Sequence, residues 1–302
     1  MVKTKLINDI CYIINDYLIE YKLLDWIDIN KLNWDNLSKN ENAINLLEKY
    51  PEKINWDLLS KNRNAIKLLK ENPDKINWNY LSQNENAIEL LRDNINNIKW
   101  HYISRNKNAI SILKNNINKI DWYNISRNEN AIEILKQNPE KIDWNNLSLN
   151  KNGISLLKEN PEKIDWSYLS QNENAIELLE ENEEKIDWNY LSLNENGIKI
   201  LEKNQDKINW SFLSRNRNAI KILKENPEKI NWYYLILNKN PEIIELLNNN
   251  INKINWNILS LNKHAIELLK NNIDKIDWMN ISYNENIFIK NDKINMLIKS
   301  LT

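Results

Sequence analysis

The chain has 302 residues, of which only 2 are Gly and 6 are Pro, while Asn makes up about a fifth. So little glycine excludes a glycine-rich phosphate loop or a Rossmann turn, and a net charge of -1 excludes a bulk basic field for nucleic acid. The single cysteine, Cys11, excludes an intrachain disulfide and a cysteine zinc site, and the two histidines, His101 and His264, leave little for metal or acid–base chemistry.

The first segment, residues 1–31, is predicted to be an N-terminal helical cap, because its apolar residues from Leu6 to Leu24 are compatible with one helix. It lacks the basic, apolar and small-residue segments of a signal peptide. No apolar run in the chain approaches the length of about 18 residues that a membrane helix needs. We therefore expect an intracellular protein that is not secreted and has no membrane partner.

Residues 32–290 are predicted to form twelve tandem repeats. Tryptophan recurs every 22 residues through this region, with one spacing of 24. A period of this length indicates a solenoid, and one tryptophan per repeat at a fixed position is more typical of a core residue than of a stacking platform for bases or sugars. The repeat tryptophans, which we expect to form the structural core, are Trp34, Trp56, Trp78, Trp100, Trp122, Trp144, Trp166, Trp188, Trp210, Trp232, Trp256 and Trp278.

Each repeat is predicted to contain two short helices, which we call A and B. The triplet Asn160-Pro161-Glu162 is typical of a helix start, so helix A is predicted to begin there and to run through Trp166. An Asn six residues after each tryptophan is predicted to end helix A in the left-handed conformation, and a second Asn, two residues further on, to cap helix B. Both asparagines are also predicted to hydrogen-bond to the neighbouring repeat.

Helices of about 8 to 10 residues are not stable alone in water, so their stability must come from stacking. We predict an all-α fold, an α-solenoid of about twelve 22-residue helix-turn-helix repeats, with helical caps formed by residues 1–31 and 291–302. Such a stack would be extended, on the order of 100 Å long. A leucine-rich-repeat solenoid is the alternative, because its period includes 22 residues and the pattern Leu81-Ser82-x-Asn84 recurs. The tryptophan three residues before that leucine disfavours the strand that a leucine-rich repeat requires.

One unit, near residues 232–255, is irregular. Pro241-Glu242 adds two residues before helix B, and Ile236 replaces the serine of helix A. Two residues turn a helix by about 200°, so the insertion is best placed where helix B begins. Ile236, with Tyr233 and Leu237 of the same unit, is predicted either to form an exposed apolar contact site or to fill the space that the insertion opens.

Two positions vary most between repeats, namely those one and five residues after each tryptophan. They lie four apart and therefore form one ridge on helix A, which we call the ridge. A repeat protein that keeps its core and varies one ridge is predicted to present a binding surface, while drift at exposed positions would give the same pattern. The candidate partner-contact residues, taken from the ridge and the irregular unit, are His101, Arg105, Tyr123, Arg127, Arg215, Tyr233, Ile236 and Leu237.

Residues 160–179 read N-P-E-K-I-D-W-S-Y-L-S-Q-N-E-N-A-I-E-L-L. This string resembles the short Trp/Asn-rich repeats of giant DNA viruses, the mimivirus relatives, and the resemblance covers about residues 24–290. The Asn, Ile and Lys bias of the chain fits an AT-rich genome of that kind. The resemblance implies a viral origin and a repeat architecture rather than a reaction, and it places the protein in the cytoplasm of an infected host cell.

We expect no enzyme activity, no cofactor and no metal site. The favoured function is a non-enzymatic scaffold that binds an unknown protein partner through an extended solenoid surface. A ubiquitin-ligase-type adaptor that uses the N-terminal helix is one alternative, because Leu6 to Trp34 is faintly similar to an F-box, although it lacks the opening Pro. A modular single-stranded nucleic-acid binder is the other, and it is disfavoured because neutral stretches interrupt the arginines of the ridge.

Overall fold

The computed structural model describes residues 20–291, so the predicted C-terminal cap helix and most of the predicted N-terminal cap lie outside the described residues. The described chain contains 23 short α-helices, numbered here in chain order. The A helices are α1 (Trp34–Lys39), α3 (Trp56–Leu59), α5 (Trp78–Gln83), α7 (Trp100–Ile103), α9 (Trp122–Ser126), α11 (Trp144–Leu149), α13 (Trp166–Gln171), α15 (Trp188–Leu193), α17 (Trp210–Arg215), α19 (Trp232–Ile236), α21 (Trp256–Leu259) and α23 (Trp278–Ile281). The B helices are α2 (Ile44–Leu47), α4 (Ile66–Glu71), α6 (Ile88–Asp93), α8 (Ile110–Lys114), α10 (Ile132–Lys136), α12 (Ile154–Glu159), α14 (Ile176–Glu180), α16 (Ile198–Lys203), α18 (Ile220–Glu225), α20 (Ile243–Asn248) and α22 (Ile266–Lys270).

Every A helix begins at its repeat tryptophan and not at the Asn-Pro-Glu triplet, so the predicted helix start is wrong. In repeat 7, the side chain of Asp165 caps α13 by accepting a hydrogen bond from the backbone N–H of Tyr168. The preceding Pro161–Lys163 forms a separate 3-10 turn. Asn160 makes no cap and instead donates its side-chain amide to the last turn of α12. The turn and the helix are separated because Ile164 is extended, with φ -69° and ψ 125°, and is buried.

The asparagine six residues after each tryptophan is extended rather than left-handed. Asn172 has φ -76° and ψ 116°, and no residue in the described range has a positive φ. The side-chain oxygen of Asn172 accepts a hydrogen bond from the N–H of Asn174 and so caps the short turn before α14. Asn174 was predicted to cap helix B, but its side chain contacts the previous repeat, and α14 starts at Ile176 without a side-chain cap.

The A and B helices form two layers with a continuous apolar core between them. In repeat 7, Leu169 of the A helix, Ala175 of the turn and Leu179 of the B helix are completely buried. The equivalent residues of the other repeats are buried in the same way, so each repeat contributes the same set of core atoms. This regular, helical arrangement within residues 20–291 is the predicted α-solenoid and excludes the leucine-rich alternative, in which the Leu-Ser pair would lie on a strand.

The stack of repeats closes on itself into a ring. Asn40 of repeat 1 donates its side-chain amide to the carbonyls of Ser282, at 3.1 Å, and Asn284, at 3.2 Å, in repeat 12. Asn62 of repeat 2 donates in the same way to the carbonyls of Ser38 and Asn40 in repeat 1. Repeat 1 therefore packs on repeat 12 as each later repeat packs on the one before it. The extended stack of the sequence prediction is wrong, and we call the contact between repeats 12 and 1 the seam.

Two short strands join the ends of the described chain at the seam. β1 (Tyr21–Leu23) pairs antiparallel with β2 (Phe288–Lys290), which occupies the place where repeat 12 would begin its B helix. The backbone N–H of Tyr21 donates to Asn45 of α2 at 2.9 Å, which fixes the strand pair to repeat 1. The predicted cap helix was expected to reach Leu24, but β2 offers an edge with which residues 21–23 pair as a strand. The two strands thus take the place of a twelfth B helix and a helical cap, and we call them the clasp.

The A helices line the central opening of the ring, and the B helices form its outer surface. Successive A helices lie closer together than successive B helices do, and in a closed ring the closer-spaced layer is the inner one. At about 8 to 10 Å per packed helix, twelve A helices give a circumference on the order of 100 Å and a diameter of about 30 Å through the helix axes. Subtracting one helix diameter with its side chains leaves an opening on the order of 20 Å.

Candidate partner-binding surface

The two asparagine columns hold neighbouring repeats together, as the sequence predicts. In every repeat, the amide of the asparagine six residues after the tryptophan donates to two backbone carbonyls of the preceding repeat. We call this closed series the amide ladder. Eleven of its members are buried and Asn262 is half-buried, and the side-chain amides of all twelve donate to backbone carbonyls, so they are not available to a ligand. The ladder consists of Asn40, Asn62, Asn84, Asn106, Asn128, Asn150, Asn172, Asn194, Asn216, Asn238, Asn262 and Asn284.

A serine four residues after the tryptophan makes a second bond between repeats. The hydroxyl of Ser148 donates to the carbonyl of Trp144 at 2.9 Å and accepts the backbone N–H of Asp165, the cap of the next A helix, at 3.1 Å. The same bond crosses the seam, where Ser282 accepts the N–H of Asn33 at 2.8 Å. Repeat 10 carries Ile236 at this position and so cannot make the bond.

The repeat tryptophans pack against the core but are only partly buried, so the expectation that they form its centre is too strong. The fully buried residue is the leucine or isoleucine three positions later. In eleven repeats, a lysine Nζ from the following repeat lies 4.4 to 5.0 Å from the centroid of the indole ring. Lys31 covers Trp278 across the seam, whereas Asn97 stands in the lysine position that would cover Trp78. The indoles are thus occupied by packing and cation–π contacts, which disfavours a role in stacking nucleic-acid bases.

The ridge faces the central opening. On a helix with 100° per residue, the positions one, two and five after the tryptophan lie opposite those that pack on the B helices. Tyr123 and Tyr233 on the ridge are 61% and 53% exposed, respectively. Because the B layer covers the other side of each A helix, these exposed side chains line the opening.

Seven of the eight predicted contact residues lie at the opening, but they do not form one patch. His101, Arg105, Tyr123 and Arg127 belong to repeats 4 and 5, and Arg215, Tyr233 and Leu237 to repeats 9 and 10. The eighth, Ile236, is only 1% exposed and fills the space beside the insertion. Its assignment to the contact surface is therefore wrong, and space filling is the predicted role that the structure supports.

Repeats 1 to 5 carry four cations at the fifth position after the tryptophan, and we call this region the basic arc. None of the four makes an ion pair with a carboxylate among residues 20–291. By contrast, three of the six cations two positions further along are paired, as in Arg63 with Glu85 at 3.1 Å. Burial and the neighbouring positive charge of Arg105 lower the pKa of Arg127. The basic arc consists of Lys39, Lys61, Arg105 and Arg127.

Repeats 6 to 12 carry mainly apolar residues at the same position, and we call this region the leucine arc. A shallow cleft of about 210 Å³ in this arc is lined by Leu193 and Leu237 together with polar and charged residues, Gln171, Glu195, Arg215, Asn216, Arg217 and Lys239. Two residues after the tryptophan, repeats 7 and 8 carry Tyr168 and Tyr190, whose rings lie 6.5 Å apart edge to face. The sequence analysis considered single residues of the ridge and missed this division, although the order of residues along the ridge already contained it. The leucine arc consists of Leu149, Leu193, Leu237, Leu261 and Tyr283, with Gln171 and Arg215 between them.

One histidine on the ridge is hydrogen-bonded to a carboxylate. His101 Nδ1 lies 2.7 Å from Asp121 Oδ2, and the side-chain amide of Asn124 lies 3.0 Å from the same nitrogen. Burial raises the pKa of Asp121, but hydrogen bonds from Asn124 and His101 outweigh it and lower the pKa below its ordinary value. Asp121 also caps α9, so it is an ionised structural carboxylate that orients the imidazole.

Other features of the described residues give no functional indication. Residues 20–291 contain no group of three or more His, Cys, Asp or Glu side chains that could hold a metal ion. None of their helices combines the length and apolar character needed to cross a membrane. No family model, curated protein or solved structure matches the chain. Its function must therefore be argued from the surface of the ring.

Proposed function

We propose that this protein is a non-enzymatic, ring-shaped scaffold that binds a protein partner in its central opening. One observation carries the proposal: along the opening, the position five residues after the tryptophan is mainly cationic in repeats 1 to 5 and mainly apolar in repeats 6 to 12. Positions on the outer surface vary as well, but drift alone would not group cations in one arc and leucines in another.

The chemistry of the opening suits a polypeptide. The side chains of the ridge include leucine, tyrosine and arginine, and aromatic and arginine residues are enriched at the centres of protein interfaces. Exposed tyrosines such as Tyr123 and Tyr233 offer a large contact area at little entropic cost. We place the partner in the opening rather than along an extended face, because the ring has no such face.

Nucleic acid is the second candidate for the opening, and the charges disfavour it. A nucleic-acid strand carries phosphates along its whole length, whereas the cations at the fifth position after the tryptophan lie mainly in repeats 1 to 5, and apolar residues occupy most of that position in repeats 6 to 12.

The ligase-adaptor hypothesis depends on a helix that lies largely outside the described residues, and residues 21–23 belong to the clasp. The resemblance to giant-virus repeats supports the cytoplasm of an infected host cell as the place where the scaffold acts. Recovery of the protein from cytoplasmic fractions of infected cells would test this proposal.

Cross-linking in cells, followed by capture of the tagged protein, tests the proposed function. The ridge variant Tyr123→Ser with Tyr233→Ser should lose the captured partner. The matched control is Ile251→Ser with Ile273→Ser, which also removes two exposed apolar side chains but lies on the turns before Trp256 and Trp278. A partner that survives the ridge change and is lost from the control would place binding outside the opening and overturn the proposal.

A further inference from the structure

We infer that the partner presents an acidic, amphipathic polypeptide segment, whose carboxylates face the basic arc and whose apolar side chains face the leucine arc. The inference rests on the proposed function and adds the chemistry of the segment. It follows from the juxtaposition of two regions on one inner surface. Four of repeats 1 to 5 carry a cation there, and five of repeats 6 to 12 carry an aliphatic or aromatic side chain at the equivalent position.

The basic arc is an anion site that the protein does not satisfy with its own residues. Arg105 and Arg127 lie close enough for the charge of one to lower the pKa of the other. Neither has a carboxylate partner among residues 20–291, although neighbouring rows of the same helices and turns contain several ion pairs. Two adjacent guanidinium groups without a counter-charge repel each other, and carboxylates of a bound segment would remove this repulsion through charge-assisted hydrogen bonds.

The leucine arc is an apolar surface that solvent reaches. Leu149, Leu193 and Leu237 are half-buried, and Leu261 is 39% exposed. Aliphatic side chains at one helical position in several repeats would be costly to leave in water, and a partner that covers them gains the corresponding burial. Leucine offers no stacking face to a base, so this arc favours apolar side chains of a polypeptide over a nucleotide.

The size of the opening is compatible with such a segment. An α-helix with its side chains is about 10 to 12 Å wide, which is narrower than the opening on the order of 20 Å that the packed helices leave. The two arcs occupy different parts of the circumference, so a helix with one acidic and one apolar face can contact both. The outer surface has no comparable division, because its B helices carry mixed charges that pair with each other, as Lys158 does with Glu177 at 2.8 Å.

Binding of labelled peptides to the full chain tests the inference. The probe is a fluorescein-labelled peptide of about 18 residues with glutamates on one helical face and leucines on the other. Its comparison peptides carry lysine for every glutamate or serine for every leucine, and an oligo-dT of similar length represents nucleic acid. Fluorescence anisotropy should show that the acidic amphipathic peptide binds at least tenfold more tightly than each of the three, and that salt weakens its binding.

Variants then locate the bound peptide. Arg105→Gln with Arg127→Gln should weaken binding at least tenfold, and Leu193→Ser with Leu261→Ser should do the same without changing the salt dependence. The matched control, Arg92→Gln with Lys114→Gln, removes the same charge from B helices α6 and α8 and should leave binding unchanged. Thermal unfolding of each variant identifies losses that come from unfolding.

Three outcomes would overturn the inference. The opening would be assigned to nucleic acid if oligo-dT bound as tightly as the acidic peptide or more tightly, and if Leu193→Ser with Leu261→Ser left this binding unchanged. Equal binding of the lysine peptide would remove the role of the basic arc. If none of the peptides binds, the partner has a different chemistry, while the capture experiment with the Tyr123 and Tyr233 variant still decides the proposed function independently.

Discussion

The seam keeps more of the hydrogen bonds between repeats than the junction between repeats 10 and 11, although the chain is continuous only at the latter. At the seam no helix-to-helix connection runs along the chain, yet Asn40 and Ser282 make the same bonds as their counterparts inside the ring. At the other junction the chain is continuous, but Ile236 removes the serine bond and the amide of Asn262 is unevenly shared, at 2.7 Å and 3.4 Å from its two carbonyls. We call the latter contact the insertion junction.

This comparison shows that side-chain chemistry rather than chain continuity determines how well two repeats are joined. The cap residue Asn255 follows the insertion and is exposed, whereas the cap residues of the other A helices, apart from Lys99, are half-buried. The insertion junction therefore has the weaker hydrogen bonding of the two contacts. The seam has all of the asparagine and serine hydrogen bonds, but it is the one contact between repeats without a connecting loop.

The largest effect should come from removing a member of the amide ladder. Asn40→Ala removes the donor to the Ser282 carbonyl, one of two donors to the Asn284 carbonyl and the acceptor of the Asn42 N–H, and each unsatisfied buried group costs about 1 to 3 kcal/mol. We expect the free energy of unfolding to fall by about 2 to 4 kcal/mol. Denaturant unfolding gives this value, and small-angle scattering shows whether the ring opens. Asn150→Ala inside the ring is the control. It should lower the free energy of unfolding by the same amount without opening the seam. Identical scattering curves for the two variants would contradict the prediction that only Asn40→Ala opens the ring.

A smaller effect is expected from the serine bond at the seam. Ser282→Ala removes the acceptor of the Asn33 N–H and should cost about 1 to 2 kcal/mol, as should Ser148→Ala at an internal junction. Hydrogen exchange separates the two variants. The Asn33 amide should exchange faster in the first, and the Asp165 amide in the second. Fast exchange of Asn33 in the parent protein would show that the seam is already open.

Repairing the insertion junction should increase stability by about 1 kcal/mol, the value of one added hydrogen bond. The repaired variant lacks Pro241-Glu242 and carries Ile236→Ser, which restores the 22-residue spacing and the serine acceptor. Thermal unfolding measures the change. Ile236→Ser without the deletion should instead destabilise the protein, because it leaves a gap where a buried isoleucine was. If the repaired variant is less stable than the parent, the insertion is an adaptation of the ring and not a defect.

The smallest effect concerns charge at the seam. Burial, together with the nearby charges of Glu285 and Glu85, raises the pKa of Glu41 despite the opposing effect of Arg63. When the pKa of a carboxyl group is raised in the folded state, its ionised form destabilises the fold. This destabilisation is fully present at neutral pH and disappears as pH falls below the ordinary pKa of the group. We expect Glu41→Gln to be more stable than the parent at neutral pH by less than about 1 kcal/mol. The difference should vanish in acid, and an increase with falling pH would show that the sign is wrong.

The sequence predicted the repeat architecture because the spacing of tryptophan and asparagine is visible in one chain. It did not locate the start of the A helices, because an Asn-Pro-Glu triplet suits an N-cap as well as it suits the separate turn that Pro161–Lys163 forms. Closure could not be predicted, since it depends on a small rotation between repeats that no single motif encodes. The ridge was found, but Ile236 was misplaced, because the insertion that buries it acts through the neighbouring repeat.

Closure also changes how the protein can lose its structure. In an open array the terminal repeats have one neighbour each, so fraying begins there and spreads inward. In this ring all twelve repeats have neighbours on both sides, and the amide ladder has no terminal rung whose donor or acceptors are left over. The first repeat to unfold must break two interfaces at once. Unfolding is therefore expected to be more concerted than in a linear array of the same repeats, with slow, uniform amide exchange around the whole circumference.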